Sequence, residues 1–278
     1  MNDNTHVWLI TGASSGLGRA IAEAALAAGE RVVATARDAA SVADLQRDER
    51  AVTAPLDVTR ADQAPRAITA AVDAFGRLDV VVNNAGYGLF GAFEELDEED
   101  LRRQFETNVF GAMNVIRAAL PQLRRQRSGH IVQVSSLEGV APILAGETAY
   151  AATKFAVEGL CEALAREVEH LGIRVTIVEP GPVRTDFAAG AVAKPSAIED
   201  YDASVGEALR AFEQLAGNQP NDPARVAAGI VQAVHAAEPP LRLVLGAEAL
   251  DAVRTKLDGQ RAELDAWEPV ARSTAVPA

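Results

Sequence analysis

Tyr150 and Lys154 stand four residues apart in a segment that predicts a helix, and Ser136 lies fourteen residues before the tyrosine. Residues at i and i+4 share one face of a helix, with Cβ atoms roughly 5–6 Å apart. A cation beside a phenol favours the phenolate, and lowering a tyrosine pKa from about 10 by two units requires about 3 kcal/mol. Such a phenol can act as a general acid or base near neutral pH. Taken alone the pair is a weak signal, because two ordinary polar residues on an alanine-rich helix are the far more common case.

A glycine-rich turn near the start of the chain predicts a phosphate site. An apolar run at 7–10 indicates a strand, and Arg19 to Ala28 indicates a helix that ends at Gly29. Bare N–H groups and the helix dipole attract a phosphate at such a helix start. The spacing is G-x-x-x-G-x-G rather than G-x-G-x-x-G, and a turn without a ligand is the alternative. The candidate residues of this turn are Gly12, Ser14, Ser15, Gly16, Leu17 and Gly18.

The end of the second predicted strand, 31–36, indicates which dinucleotide binds. An acidic residue at this place would hold the ribose 2′-hydroxyl of NAD, but the chain has Ala36 followed by Arg37. A guanidinium can hold a 2′-phosphate through two parallel hydrogen bonds, so NADP(H) is favoured over NAD(H). Asp38 comes next, and it either caps the following helix or neutralises Arg37.

Several blocks in a fixed order resemble the short-chain dehydrogenase/reductase family, in its ordinary, non-extended form. They are residues 11–18, Asn83-Asn84-Ala85-Gly86, Ser135-Ser136, Tyr150-x-x-x-Lys154 and 179–185. The match is dense from residue 7 to about 186 and loose beyond. The resemblance implies an oxidoreductase with a nicotinamide dinucleotide as cofactor.

The resemblance also implies catalytic roles for four residues. Tyr150 would exchange the substrate proton, and Lys154 would lower its pKa and bind the nicotinamide ribose. Ser136 would orient the substrate oxygen, and Asn108 would hold a water in a proton relay. The interval from Ser136 to Tyr150 is one residue longer than the usual family spacing, with the extra residue placed in the loop 141–148 beside the substrate. Ser135 would be farther still, so Ser136 is the preferred serine.

Further residues match the family's cofactor contacts. The resemblance assigns Asp57 and Val58 to the adenine, 84–86 to the adenine ribose, and 180–185 to a clamp on the nicotinamide. Each also has an ordinary structural alternative: Asn83 and Asn84 as turn formers, Asn108 as a solvated helix residue, and Asp57 as a helix cap. The candidates from these segments are Asp57, Val58, Asn84, Ala85, Gly86, Pro180, Gly181, Val183 and Thr185. No metal ligand is among the candidates.

Composition excludes several other classes of function. A formal charge of −13 and a pI near 4.8 argue against nucleic acid or an anionic membrane as a partner. No apolar stretch approaches the roughly 20 residues that span a bilayer. The single cysteine, Cys161, cannot form an internal disulfide, which predicts a cytoplasmic protein and a packing role for its side chain.

Strands and helices alternate along the whole chain. Apolar runs predict strands at 7–11, 31–36, 51–56, 78–83, 129–135, 173–178 and 241–245, with long helices at about 97–126 and 148–170. The pattern predicts an α/β, Rossmann-like doubly wound parallel sheet in one domain covering 1–278. Ligands bind at the carboxyl ends of the strands in such sheets, where the glycine turn, Asn84, Ser136 and Pro180 all fall.

Together these features predict an NADP(H)-dependent oxidoreductase that interconverts a ketone or aldehyde with an alcohol by hydride transfer. The alternative is a non-catalytic NADP(H)-binding sensor or regulator on the same fold. Scattered apolar residues in 187–220 predict either a lid over a small apolar carbonyl or alcohol substrate, or simple packing of a helical excursion. The extension 246–278 begins with an amphipathic helix that closes the pocket, packs on a neighbouring subunit or caps the core. The family's usual assembly implies a homodimer or homotetramer.

Overall fold

The computed structural model describes residues 5–276. Its main sheet contains the seven strands predicted from the sequence, and two additional strands of two residues each form a separate pair. The nine strands are β1 Val7–Ile10, β2 Arg31–Ala36, β3 Ala51–Pro55, β4 Val80–Asn83, β5 Leu89–Phe90, β6 Gly129–Val134, β7 Ile173–Pro180, β8 Val192–Ala193 and β9 Arg242–Leu245. The order in the main sheet is β3-β2-β1-β4-β6-β7-β9, and every neighbouring pair is parallel. The predicted Rossmann-like fold is therefore confirmed.

Helices cover both faces of this sheet. The α-helices are α1 Gly16–Ala27, α2 Ala64–Phe75, α3 Glu98–Phe105, α4 Gly111–Gln126, α5 Thr148–Val168, α6 Phe187–Gly190, α7 Glu207–Leu215, α8 Pro223–His235 and α9 Ala247–Ser273. Short 3₁₀ segments include Ala39–Arg47 and Leu137–Gly139, and a π-helical turn at Glu106–Phe110 joins α3 to α4. None of the helices within 5–276 combines the length and the apolarity needed to cross a bilayer.

Alternation along the strands divides the core into two layers. In β1, Val7 and Leu9 pack with α2, α4 and α5, whereas Trp8 and Ile10 pack with α1 and α8 on the other face. Successive strand side chains point to opposite faces, so an apolar run supplies both layers at once. Cys161 is fully buried in the first layer, which confirms its predicted packing role, and burial raises the pKa of its thiol to about 12.

The strand order reverses between β1 and β4. After β1 the chain runs outward to β3, then returns to place β4 beside β1. The loops that leave β1 and β4 therefore diverge and leave a crevice at the carboxyl ends of the strands, which is where open α/β sheets bind ligands. The fold thus fixes where the candidate residues should meet.

Candidate active site

The glycine turn is fixed to the end of β4 by Thr11 and Asn84. The Asn84 side-chain amide donates to the carbonyls of Thr11 and Gly12, at 3.0 and 3.2 Å. The Thr11 hydroxyl oxygen accepts the backbone N–H groups of Asn84 and Ala85, at 2.9 and 3.0 Å. Gly18 packs so closely that a Cβ there would lie 2.3 Å from the Gly12 carbonyl oxygen. Asn84 is therefore more than a turn former, and Thr11 is a site-building residue that the sequence candidates omitted.

The helix start behind the glycine turn is open to an anion. Helix α1 begins at Gly16, its N-cap Ser15 makes no side-chain capping bond, and its first turn has no acidic residue. Ser14 and Ser15 are exposed, and Leu17 is half-buried against the core. Gly12 and Gly16 have φ angles of 64° and 56°, a conformation that glycine adopts without strain. Unsatisfied N–H groups of this kind fit the phosphates of a dinucleotide.

Arg37 and Asp38 have separate roles at the end of β2. The Asp38 carboxylate accepts the backbone N–H of Ala40 at 3.0 Å and caps the 3₁₀ segment 39–47. Arg37 is exposed and forms no hydrogen bond or ion pair with the residues that the structure describes. Of the two alternatives for Asp38, capping is therefore the one observed, and the guanidinium of Arg37 is available to a ligand.

Asp57 and Val58 follow β3 on the same edge of the sheet. The Asp57 carboxylate accepts the backbone N–H and the hydroxyl of Thr59, at 3.0 and 2.8 Å. Helix α2 starts only at Ala64, so Asp57 does not cap it. Val58 is buried, and its carbonyl accepts the side-chain amide of Asn114 at 3.0 Å. These bonds hold the loop after β3 against α4.

The loop after β7 comes back over the glycine turn. Pro180 ends β7, and the Gly181 N–H donates to the Leu245 carbonyl at 2.9 Å. Val183 forms an isolated parallel bridge with Asn221, and a Cβ on Gly16 would lie 3.5 Å from the Thr185 Cβ. The segment 180–185 therefore faces the start of α1, as a clamp on a ligand bound there would.

Tyr150 and Lys154 lie together on the first turns of α5. Both side chains are buried, with exposed fractions of 6% and 7%, and the Lys154 Nζ is 5.5 Å from the centre of the tyrosine ring. The Lys154 ammonium donates to the Val134 carbonyl at 3.1 Å, which anchors it to the end of β6. Ser136, two residues past β6, has its hydroxyl beside the Tyr150 phenol. The three residues predicted to react are thus brought together.

The acidity of this group differs from the sequence-based expectation. Burial raises the pKa of the Tyr150 phenol, the Glu138 and Glu147 carboxylates raise it further, and only the Ser136 hydroxyl opposes them. Burial also lowers the pKa of Lys154 to about 8, against the opposing influence of Glu138 and Glu158. The expected lowering of the tyrosine pKa is therefore wrong for this arrangement, because the i,i+4 argument counted a cation and ignored desolvation.

Asn108 is buried in the π-helical turn between α3 and α4. Its side-chain amide donates to the Tyr87 carbonyl at 2.9 Å and to the Thr153 hydroxyl at 3.1 Å, while its oxygen accepts the Tyr87 N–H at 3.1 Å. Gly86 must be small here, since a Cβ would lie 2.9 Å from that oxygen. The alternative of a solvated helix residue is wrong, and π-helical turns are common at functional sites.

Two carboxyl groups that were not among the sequence candidates border the reactive tyrosine. Glu138 accepts the Ser136 hydroxyl proton in a short hydrogen bond, and Glu147 accepts the Leu144 N–H at 3.0 Å. Burial raises the pKa of both, that of Glu147 to about 7, and repulsion between the two contributes to the shift of Glu147. Their sequence signal was only proximity to Ser136 and Tyr150, because burial of an acidic side chain depends on distant segments.

An aromatic cluster covers the phenol. The Tyr150 ring lies 5.5 Å from that of Phe90 and 5.6 Å from that of Phe187, between centroids, and Phe212 is 4.8 Å from Phe90. Val205 and Leu209 complete the buried cluster, with Tyr201 packed against it. Within 187–220, Phe187 contacts the Tyr150 ring, Phe212 contacts Phe90, and Val205 and Leu209 belong to the same buried cluster. The helical excursion is therefore packed directly on Tyr150.

The chain is similar to known proteins in sequence and in fold. Residues 6–196 match the short chain dehydrogenase family. The oxidoreductase BOA17 of Botryotinia fuckeliana is 40% identical over 276 residues, covering 98% of this chain and all of that protein. A short-chain dehydrogenase structure from Streptomyces avermitilis is 45% identical, with a TM-score of 0.89 over 98% of this chain and 100% of that one.

Two further solved structures contain a nicotinamide dinucleotide. A short-chain dehydrogenase/reductase from Burkholderia phymatum, in complex with NAD, is 25% identical, with a TM-score of 0.82 over 95% of this chain and 96% of that one. An alcohol dehydrogenase from Thermococcus sibiricus, complexed with 5-hydroxy-NADP, is 26% identical, with a TM-score of 0.71 over 87% of this chain and 96% of that one. Sequence and structure therefore agree that this chain is an oxidoreductase of the short-chain dehydrogenase/reductase family.

Proposed function

We propose that the protein is an NADP(H)-dependent oxidoreductase that interconverts an apolar ketone or aldehyde with the corresponding alcohol. Tyr150, Lys154, Ser136 and Asn108 are the proposed catalytic residues. The observation that carries the proposal is the burial of Tyr150 against Lys154 and Ser136, at the sheet edge where the open start of α1 also lies. Burying a phenol, an ammonium and a hydroxyl together costs free energy, and buried titratable groups with shifted pKa values are concentrated at functional sites.

The protein's own groups would handle the substrate oxygen and its proton. A bound nicotinamide would supply the hydride in reduction or accept it in oxidation. Ser136 orients the substrate carbonyl oxygen, and Tyr150 donates its proton to that oxygen. The raised pKa of Tyr150 keeps the phenol protonated, which suits the donor role in reduction. Lys154 and Asn108 would form part of the proton relay that returns a proton to the Tyr150 phenol after each turnover.

The preference for NADP(H) rests on Arg37. Its guanidinium is exposed at the end of β2, and Asp38 is occupied in capping. Replacing Arg37 by Ala removes charge-assisted bonds worth about 1.5–3 kcal/mol, so we expect the KM for NADPH to rise roughly 10–150-fold. The KM for NADH should hardly change. The matched control is Arg47→Ala, an exposed arginine at the end of the same 3₁₀ segment.

The aromatic cluster supports an apolar substrate. Phe90 and Phe187 contact the Tyr150 ring, and Phe212 packs on Phe90. Ile143 and Leu144 are exposed in the longer loop before α5. An apolar lining with few polar groups is typical of sites for apolar ligands. We therefore favour a role as a substrate lid, rather than simple packing, for residues 187–220. Because Tyr150 is buried beneath this segment, the segment would have to move to admit substrate.

The test follows NADPH and NADH oxidation across a panel of apolar ketones and aldehydes. We expect turnover with NADPH preferred, and its loss in Tyr150→Phe with NADPH affinity nearly unchanged. Turnover that persists in Tyr150→Phe would refute the assignment. Tight NADPH binding without turnover across the panel would favour the alternative of an NADP(H) sensor. The predicted homodimer or homotetramer is checked by light scattering of the same preparation, and the cytoplasmic location by fractionation of the source cells.

A further inference from the structure

A second cluster of chemically capable side chains lies at the opposite edge of the sheet. His6 and Glu30 directly precede β1 and β2, whose parallel register pairs Val7 with Arg31. His235 is the last residue of α8, which packs against α1. Three separate elements therefore deliver two imidazoles and one carboxylate to one point. Within residues 5–276, these three are the group of histidine, cysteine or acidic side chains whose ligand atoms lie close enough together to hold one metal ion.

The distances suit one shared cation. The Glu30 Oε1 lies 3.6 Å from the His6 Nδ1 and 2.9 Å from the His235 Nε2, and all three ligand atoms lie within 4.8 Å of one another. Ligands about 2.0–2.1 Å from a tetrahedral zinc ion are separated by roughly 3.3 Å. The two imidazole rings are inclined at 57° with centroids 5.2 Å apart, so they are not stacked flat on each other. Small side-chain adjustments would bring the three atoms onto one ion.

The bonding pattern leaves one ligand atom without a partner. Glu30 is only 3% exposed, and its carboxylate accepts the His6 backbone N–H while its other oxygen meets His235. The His6 Nδ1 is buried and has no hydrogen-bond partner in the described structure. A simple histidine–glutamate ion pair would satisfy Glu30 and His235 but would leave this nitrogen unsatisfied, which is costly. A cation between the three groups would satisfy all of them.

We propose that His6, Glu30 and His235 bind one Zn²⁺ ion at the amino ends of the strands. Two imidazole nitrogens and one carboxylate oxygen are a known three-ligand set for zinc, which leaves a fourth position for water. His6 also lines an adjoining cavity of about 230 Å³, whose other lining residues include Asp79, His130 and Arg174. The His6 N–H bond to Glu30 would orient the carboxylate, as outer-shell bonds do at metal sites. The ion would join the starts of β1 and β2 to the end of α8, at the edge of the sheet away from Tyr150.

Zinc binding to the full-length protein without an affinity tag tests the proposal. After chelator treatment, titration calorimetry should give one Zn²⁺ per chain, and Mg²⁺ should give none, because nitrogen ligands select against it. A free zinc concentration a hundredfold above Kd should raise the melting temperature by about 5 °C. Co²⁺ in place of zinc should show the visible absorption of a four-coordinate nitrogen and oxygen site.

His235→Asn and Glu30→Gln should each weaken zinc binding at least tenfold, whereas His170→Asn, a change at an exposed histidine outside the cluster, should not. His235 is exposed, so its variant should fold even if Glu30→Gln does not, and circular dichroism checks this. Absence of stoichiometric zinc binding would overturn the proposal. Equal zinc affinity in His235→Asn and His170→Asn would overturn it as well, by placing the ion elsewhere. None of these readouts depends on the reductase activity.

Discussion

Two consecutive parts of α5 each bury a charged side chain, but only one of the two side chains has a salt-bridge partner within residues 5–276. On the first turns, Lys154 is buried and has no ion pair with the described residues; its ammonium contacts only the Val134 carbonyl by a hydrogen bond. One turn later, buried Glu158 pairs with Arg242, which also bonds Glu179 at 2.7 Å and Glu162 at 2.9 Å. Within the described chain, the same helix therefore carries a buried ammonium without a salt-bridge partner next to a buried carboxylate that has one.

We infer that the first of these two charges serves the reaction, whereas the second serves the stability of the fold. A buried charge without a counter-ion costs folding free energy and shifts its own pKa, which suits proton transfer. A buried charge inside a network fixes neighbouring elements, here α5, β7 and β9, and becomes destabilising only when a partner is removed. The first turns should thus control turnover, and the later turn should control stability.

Replacing Lys154 gives the strongest test of this contrast. In Lys154→Met we expect turnover to fall at least about 100-fold, because proton transfer at Tyr150 loses its positioned partner. The free energy of unfolding should not fall, because an uncompensated buried charge is removed. Steady-state kinetics and urea unfolding measure the two effects, with exposed Lys256→Met as the control. A large loss of stability in Lys154→Met would break the comparison.

Arg242→Met should have the reverse profile. Glu158 and Glu179 are 4% and 1% exposed, and without Arg242 their charges are buried unpaired. Because the Arg242 side chain is itself about a third exposed, we expect a loss at the lower end of the range for broken buried pairs, about 2–3 kcal/mol. Turnover per folded molecule should change little. Urea unfolding measures the loss, and adding Glu158→Gln should recover part of it; no recovery would show that the network is not the cause.

Much of the fold could be predicted because short apolar runs in the sequence mark most of its strands. Most strands of the main sheet are apolar runs that are largely buried, whereas the edge strands β3 and β9 are only partly buried, and such runs can be recognised without knowledge of their neighbours. Strands β5 and β8 were missed, since two residues are too few to show a period. One long helix was expected over 97–126, whereas a π-helical turn interrupts it at Asn108, a change in hydrogen bonding that composition does not reveal.

The sequence placed several candidate residues correctly in the fold but did not predict the electrostatics around them. Asn84 and Ser136 follow strands as expected, Tyr150 lies on the expected helix, and Asn108, proposed from the family resemblance, lies in a π-helical turn. The raised pKa of Tyr150 arises from burial under segments near 90 and 205, which are distant in sequence. His6, Glu30 and His235 are likewise brought together only by the fold.

Glu147, at the start of α5, should make the stability of the protein depend on pH. Burial, then Glu138, raises the pKa of Glu147 to about 7 in the folded protein, against 4.5 for the ordinary group. Between these values the folded state binds more protons than the unfolded state, so stability falls as pH rises through this window. From pH 5.5 to 8 this group should remove up to about 2 kcal/mol.

Urea unfolding at the two pH values measures that loss. Glu147→Gln should abolish this part of the dependence because an amide does not titrate, while exposed Glu167→Gln should leave it intact. The same slope in Glu147→Gln as in the natural protein would show that another group is responsible.

The smallest expected effect concerns Gly159, the residue that follows Glu158 on α5. It is exposed in the interior of α5, its φ is not positive, and a Cβ would meet nothing within 4 Å. Gly159→Ala should therefore stabilise the protein by about 0.5–1 kcal/mol through reduced entropy of the unfolded chain, without altering turnover. Gly12→Ala is the opposing control, because its φ is 64° and a Cβ would lie 3.0 Å from the Ala85 Cα. If Gly159→Ala instead lowered turnover, the later turns of α5 would influence the site, and the division between its two parts would not hold.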